Sequence, residues 1–532
     1  MANGLSFASA LAPYLQVAKP ITDAQGRIEV IIDFNDEAHM KYPGNLPTLP
    51  TQANANARKN SEFFHAEKTL ALVADFEKKF NFQRSGMTSW AGNSVTAFVS
   101  TDTIKRLQAD PQVKQVSQNQ LVLSSAATPP PWPETSLPNG EVISWGRNAV
   151  NGKLATVNTG RKIYIIDGGV ALHDDLPPMT RLNVACGSTG NCNVTNPYTY
   201  PLTGCYAHAT HVAGIIGAKA SNGKTIQGAY AGFPNMVSLN TYTRSNPSYN
   251  CTDGGNTDAT QGYALDYIAY DATCNNPSRL VHIVNMSKNS PDGGGVTYQY
   301  GTPGANWYKV KSITTTIWAY GIPISPGVFF VQSSGNRKDV ASDDACLTAY
   351  RPGYQQPAAP DDGVMVVGAV DNLGNSISVQ NPFWGSNPSN IHSAGNYSTH
   401  GACVDIWAPG NNIASTWGQI SQIGYPAAGM PPYTVEGRTL YGYPLPYSGN
   451  IGDPYEGWAY LSGTSMAAPF VAAAAAWIAD NDASITTPAA LEAAVRSKSF
   501  QWSGTFINSE NKTVTGLYTD RAGLPVKVVQ LP

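Results

Sequence analysis

The first third of the chain spaces its apolar residues as a small mixed domain. Arg27–Asp36 (RIEVIIDFND) is a β-branched run that reads as a strand. Residues 61–82 carry Phe64, Leu70, Val73, Ala74, Phe76 and Phe80 with charges between them, a helical spacing with Ser61 as a cap. A strand near Ser94–Ser100, a short helix from Thr101 through Leu107 and a strand Val113–Leu123 come next. With a further strand at Met87–Trp90 the order is β-α-β-β-α-β, which predicts a ferredoxin-like α+β domain over 27–125, behind a polar leader over 1–26.

The pattern then breaks. Ala126–Asn139 (AATPPPWPETSLPN) holds three consecutive prolines, which continue neither a helix nor a central strand, so 126–142 reads as an exposed linker and a place where the chain is cut in maturation. From 143 to 532 short apolar strands alternate with helix-compatible segments. The strands are Arg161–Ile166, Met236–Leu239, Leu280–Asn285, Gly327–Gln332 and Val364–Val370; the helical segments are His208–Ile216, Ala259–Ala272 and Trp307–Tyr320. This predicts a doubly wound α/β domain on a mostly parallel sheet covered on both faces, with functional residues at the carboxyl ends of its strands.

Composition narrows the class. Charged residues are only 13% of 532, Lys+Arg 33 nearly balance Asp+Glu 36, and no basic field points to nucleic acid. Gly 50 and Pro 38 predict long, turn-rich loops. The longest apolar run, around Ser465, is too short to span a bilayer and contains Pro469. The N-terminal residues lack a charged region ahead of their weakly apolar stretch, so no intact secretory signal is seen. All seven cysteines lie from Cys186 onward, which suits disulfides in an exported domain whose signal has been removed, and an odd count leaves one thiol over.

Four residues at element ends carry candidate chemistry. Asp167 directly follows the apolar strand Ile163–Ile166, and His208 opens a helical segment. Asn336 follows an apolar strand through Ser334-Gly335, and its amide N–H groups suit an oxyanion. Ser465 sits in a Gly-Thr-Ser turn that feeds an Ala-rich helix, where free N–H groups and the dipole favour developing negative charge. His208 and His211 at i, i+3 would also fit a metal pair, but no Glu stands between them and no third ligand is evident. An acid, a base, an amide donor and a hydroxyl in one chain point to nucleophilic acyl transfer.

On Asp167-Gly168-Gly169-Val170, His208-Ala209-Thr210-His211-Val212-Ala213-Gly214, Ser334-Gly335-Asn336 and Gly463-Thr464-Ser465-Met466-Ala467-Ala468-Pro469, the sequence resembles the subtilisin-like serine proteases from Ser144 to about residue 500. The resemblance implies Ser465 as nucleophile, His208 as general base, Asp167 behind the imidazole and Asn336 in the oxyanion hole. It implies that the preceding domain is an inhibitory propeptide and that Asn285, Ser287, Lys288, Asn289, Gly254, Gly255, Ser334 and Gly335 bind substrate. Protein or peptide substrates follow, with the propeptide as intramolecular partner.

Some positions depart from that family. Ala209 stands where Gly is usual, and Ser287-Lys288-Asn289-Ser290 replaces a typical Ser-Leu-Gly-Gly, bringing side chains and a positive charge toward a subsite. Residues 418–458 form an insertion rich in Gly, Pro and Tyr that reads as a lid or rim at the cleft. The cysteines resemble those of proteinase K-like enzymes of the aqualysin type, implying Cys205–Cys251 and Cys346–Cys403, with Cys186–Cys192 closing a small loop and Cys274 left over. The same group implies a calcium ion at Asp405, with carbonyls near Asp362 and Val364 as partners. The expectation is therefore a secreted serine endopeptidase made as a self-processing zymogen. The altered pocket leaves open a narrow processing protease or a transpeptidase of the same fold.

Overall fold

The structure is a computed structural model. It describes residues 22–35, 70–88, 93–119, 135–137, 141–186, 192–195, 206–223, 226–241, 258–287, 306–315, 317–319, 322–336, 345, 361–370, 398–411, 413–417, 433–435, 438–440, 458–461, 463–501, 503–507, 513–517, 519–520 and 523–532. Its N-terminal part has strands β1 (Ile28–Phe34), β2 (Arg84–Thr88), β3 (Ser94–Val99) and β4 (Val113–Gln118), with helices α1 (70–80) and α2 (Thr101–Gln108). The sheet order is β2-β3-β1-β4, and every neighbouring pair is antiparallel. Val30, Ile32 and Phe34 face its own core with Val73, Phe76 and Phe80 of α1. This is the strand period of two meeting the helix period of 3.6.

The other face of that sheet is covered by the larger domain. Ile31 joins the apolar cluster around helix α5 (Asp258–Cys274). Asn119 Oδ1 accepts from the Ala259 N–H at 3.1 Å and so caps α5 from the neighbouring domain. Lys309, on α6 (Trp307–Thr314), reaches Asp33 Oδ1 at 3.3 Å with side chains only 2% and 10% exposed. Gly86 makes room for Tyr263, since a Cβ there would lie 1.6 Å from the tyrosine oxygen, and Tyr263 donates to Thr96 Oγ1 at 3.0 Å.

The larger domain is built on ten strands. In chain order these are β5 (Ile163–Asp167), β6 (Thr180–Cys186), β7 (Cys192–Thr195), β8 (Met236–Asn240), β9 (His282–Met286), β10 (Val328–Ser333), β11 (Val364–Val370) and β12 (Ile406–Pro409). Strands β13 (Ile413–Thr416) and β14 (Trp458–Leu461) pair apart as a two-stranded ribbon. Strands β15 (Ser499–Gln501) and β16 (Lys527–Val529) complete the large sheet, ordered β7-β6-β8-β5-β9-β10-β11-β12-β16-β15. All pairs from β6 to β16 are parallel, and only the two edge strands, β7 and β15, run antiparallel to their neighbours. Side chains alternate across it. Ile163, Ile165, Ile283, Phe329 and Val331 pack under α3 (Trp145–Ala149), α4 (Tyr206–Gly217), α7 (Thr464–Asn481) and α8 (Pro488–Ser497), whereas Tyr164, Ile166, Val284 and Phe330 pack under α5 and α6. Both faces being covered explains why these strands read as unbroken apolar runs.

Three elements differ from the sequence reading. Helix α6 stops at Thr314 rather than reaching Tyr320, because Thr314 and Thr315 turn their hydroxyls back onto the Val310 and Lys311 carbonyls, at 3.0 and 3.2 Å, and Ile317–Ala319 then becomes a short strand. Strand β6 is absent from the sequence reading, although Arg181 and Asn183 alternate with Leu182 and Val184 in the strand period of two. Strand β4 ends at Gln118, earlier than Leu123. Residues 61–69 and most of 418–458 lie outside the described residues. Among the described residues no helix is long and apolar enough to cross a membrane.

Buried polar groups tie the amino ends of the strands together. Asp271 accepts from Lys162 Nζ and from the Tyr164 hydroxyl, both at 2.6 Å. His282 Nδ1 accepts from the Lys162 N–H at 3.2 Å, and burial, with Lys162 and Arg161 nearby, pushes its pKa from 6.5 down to about 3. The native state therefore binds fewer protons than the unfolded chain between those values, so stability is lost as pH falls from about 6.5 toward 3. In a Ser465→Ala background, which prevents self-digestion, urea unfolding of His282→Asn is expected to show a flatter acid limb than the same background with His282 intact.

Candidate active site

Asp167 ends β5, His208 lies in the first turn of α4, Asn336 follows β10 and Ser465 is the second residue of α7. The sheet order explains their approach. The chain leaves β5 toward β8 on one side and resumes at β9 on the other, so the carboxyl ends of β5, β9 and β10 border the point where the winding reverses.

Asp167 is 1% exposed, and its Oδ1 accepts from the Gly168 N–H at 2.6 Å. Its Oδ2 meets His208 Nδ1 at 2.8 Å. A carboxylate there favours the tautomer with hydrogen on Nδ1, leaving Nε2 with its lone pair. His208 Nε2 is buried with no hydrogen-bond partner among the described residues. The start of α4 is fixed from two sides: Thr416 and Ser415 donate to the Thr210 and His211 carbonyls, both at 2.7 Å, while Thr210 Oγ1 accepts from the Ala171 N–H at 2.9 Å. His211 Nε2 lies 2.9 Å from the Ile413 carbonyl, so this imidazole holds α4 against β13 and the two histidines do not share a ligand site.

Helix α7 begins at Gly463-Thr464 with no cap from its own N-cap side chain. Asn336 supplies one. Its Oδ1 accepts from the Thr464 N–H at 2.8 Å and from the Thr464 hydroxyl at 2.7 Å, which turns the amide N–H₂ to the opposite side. Thr464 Oγ1 in turn accepts from the Gly335 N–H at 3.1 Å. Gly335 has φ +110°, a conformation that favours glycine and lets the chain leave β10 and present Asn336 to α7. Thr464 is the functional neighbour that pattern reading passed over, although its place beside Ser465 in the Gly-Thr-Ser turn was a usable signal.

Ser465 is fully buried, and its hydroxyl donates to the Ser287 carbonyl at 2.9 Å rather than to an imidazole. Ser287 Oγ donates to the Ser465 carbonyl at 2.8 Å and accepts from Asn285 Nδ2 at 3.0 Å. Asn285 and Ser287 thus converge on Ser465. Ser334 is buried, its N–H bonded to the Val367 carbonyl at 2.9 Å and its hydroxyl to the Thr399 carbonyl at 3.3 Å, which makes it part of the scaffold behind Asn336. Lys288, Asn289, Gly254 and Gly255 lie outside the described residues.

The donors expected for calcium, Asp405, Asp362 and Val364, are partly engaged within the chain. Asp405 Oδ1 accepts from Arg496 Nη2 at 2.8 Å and its Oδ2 from the Val366 N–H at 2.8 Å, while Asp362 Oδ1 accepts from the Val364 N–H at 3.0 Å. Calcium needs six to eight oxygens. Here both Asp405 oxygens are committed, and the neutralising cation is the chain's own guanidinium, which also holds Glu492 Oε1 at 2.6 Å. Burial, with Asp405 and Asp362 nearby, pushes Glu492 up to about 7. Among the described residues no group of three His, Cys, Asp or Glu is arranged to hold a metal. Cys403 is disulfide-bonded, Cys186 lies opposite Cys192 in the β6–β7 register, and Cys274 is a thiol rather than half of a disulfide. Cys205, Cys251 and Cys346 fall outside the described residues.

A sequence model described as the subtilase family, Peptidase_S8, matches residues 158–521, which span Asp167, His208, Asn336 and Ser465. The chain belongs to the subtilase family. Similar relatives include the thermostable alkaline protease of Halalkalibacterium halodurans, 24% identical over 388 residues, 72% of each chain. The alkaline serine protease ver112 of Corniculantispora psalliotae is 22% identical over 397 residues, 73% of this chain and 71% of that one. Among solved structures, fervidolysin from Fervidobacterium pennivorans, a keratinolytic enzyme related to subtilisin, shares the fold with a TM-score of 0.51 at 17% identity, over 91% of this chain and 59% of its own. This subtilase is accordingly a subtilisin-like serine endopeptidase on a mixed α/β fold.

Proposed function

We propose that this subtilase is a secreted endopeptidase that cleaves peptide bonds through an acyl-enzyme on Ser465 and is made as a zymogen. The observation that carries the reading is the 2.8 Å contact between buried Asp167 and His208 Nδ1, which leaves Nε2 without a partner at the end of the sheet where α7 delivers Ser465. In this reading the Ser465 hydroxyl exchanges the Ser287 carbonyl for His208 Nε2 when substrate is bound. Oγ then attacks the substrate carbonyl as its proton passes to His208, and Asp167 stabilises the imidazolium. Asn336 Nδ2 and the Ser465 N–H receive the oxyanion; collapse of the tetrahedral intermediate returns the proton to the leaving amine, and water releases the acid in a second passage.

The small domain over 27–125 serves as the inhibitory propeptide. Its support is the sheet face buried on α5 and α6 through Asn119, Thr96 and Asp33. The chain resumes its grip on the larger domain at Glu141, whose carboxylate accepts from the Asn222 and Gly223 N–H groups at 2.6 and 3.0 Å. A cut between Gln120 and Trp132 then frees the propeptide while the new N-terminal segment stays anchored. A disulfide at Cys403 supports maturation in an oxidising compartment. N-terminal sequencing tests the zymogen reading: purified wild type is expected to begin within the linker and Ser465→Ala to remain full length. Equal processing of both would overturn self-maturation.

A further inference from the structure

Pro469 lies inside α7, four residues after Ser465. In an α-helix the N–H of residue 469 would bond the carbonyl of residue 465, and proline has no N–H to give. That carbonyl is instead satisfied from the neighbouring strand's end by Ser287 Oγ at 2.8 Å. Ser287 is fully buried, and its hydroxyl is held by Asn285 Nδ2 at 3.0 Å, which uses the oxygen as acceptor and directs its hydrogen at Ser465. Asn285 is itself 0% exposed in the interior strand β9, and its Oδ1 has no hydrogen-bond partner among the described residues. Asn285 is thus a buried amide whose one recorded bond is spent on aiming the Ser287 hydroxyl, a placement that a packing role does not require.

We propose that Asn285 and Ser287 are positioning residues for Ser465, supplying from β9 the carbonyl hydrogen bond that Pro469 withholds within the helix. The carbonyl side of the Ser465–Met466 peptide is thereby held by a side-chain relay, Asn285 to Ser287 to the Ser465 carbonyl, while its Met466 N–H bonds the Gly463 carbonyl at 3.0 Å. The orientation of that peptide governs where Oγ stands relative to His208 Nε2. The inference rests on Ser465 being the nucleophile.

The test is a double-mutant cycle read by fluorophosphonate labelling of the mature enzyme, each variant first shown by N-terminal sequencing to have lost the propeptide, and it needs no knowledge of the natural substrate. Ser287→Ala is expected to lower the maximal labelling rate on the order of 10- to 10²-fold, the scale of a misplaced reacting group, with the half-saturating probe concentration within about 2-fold. Ser287→Thr, which keeps the hydroxyl, is expected to retain the rate. Asn285→Ala is expected to follow Ser287→Ala, and the two losses are expected not to add. Pro469→Ala restores an N–H to the Ser465 carbonyl, so in that background Ser287→Ala should cost clearly less. A full labelling rate in Ser287→Ala, or a loss that is the same whichever residue stands at 469, overturns the proposal. If wild-type probe attaches to a residue other than Ser465, the nucleophile assignment fails instead.

Discussion

Ser465→Ala is expected to reduce turnover of a peptide substrate by about 10⁶-fold, the loss that follows removal of the nucleophile from a subtilisin, while leaving a folded protein. The reason is local. Ser465 is buried at the start of α7, and its hydroxyl makes a single recorded bond, to the Ser287 carbonyl, so truncation removes one oxygen without opening a large cavity. The helix itself does not depend on it, because the Thr464 N–H is capped by Asn336. Circular dichroism and thermal unfolding of Ser465→Ala should therefore match those of another full-length inactive variant, His208→Ala, while kcat collapses. A variant that loses activity only because it unfolds would fail both comparisons.

Asn336→Ala is the second large effect, expected to lower kcat by about 10²–10³, the range found on removing one oxyanion donor in a subtilisin, with KM little changed. Two consequences should separate here. The lost Nδ2 donor acts only in the transition state, so it moves kcat. The lost Oδ1 acceptor uncaps the Thr464 N–H, which costs the fold about 1 kcal/mol. Asn336→Asp divides the two, since it keeps the cap acceptor and offers no N–H; it is expected to hold stability and still lose kcat. An active, destabilised Asn336→Ala protein would mean that this amide serves only as a cap.

Much of this arrangement was legible in the chain. Asp167, Asn336 and Ser465 each stand at the boundary of a strongly apolar element, so strand and helix ends mark them in the sequence. The alternation of β5, with Ile163 and Ile165 on one face and Tyr164 and Ile166 on the other, made the run look continuous, and both faces being buried is its cause. What the pattern did not carry were pairings across long separations. The Arg496–Asp405 contact spans 91 residues and joins a helix to a strand end, so nothing near Asp405 in the sequence marks this partner. The hydrogen bond from Ser287 to Ser465 spans 178 residues and involves two small hydroxyls with no periodic signature. Pro469 was visible, but only as an interruption of an apolar run; its consequence for the Ser465 carbonyl needed the position of Ser287. The docking of the small domain on α5 through Gly86 and Tyr263 is likewise a matter of shape, which composition does not encode.

The central claim is that His208, held by Asp167, activates the Ser465 hydroxyl. Its most direct measurement is mass-spectrometric location of a fluorophosphonate adduct on the mature enzyme, a reaction in which Oγ bonds phosphorus, fluoride leaves and the serine proton passes to the imidazole. The adduct is expected on Ser465 in wild type, and its formation is expected to fall by several orders of magnitude in His208→Ala freed of its propeptide by an added protease that cuts the linker. An adduct on another residue, or one that forms at Ser465 equally fast without the imidazole, would contradict the account.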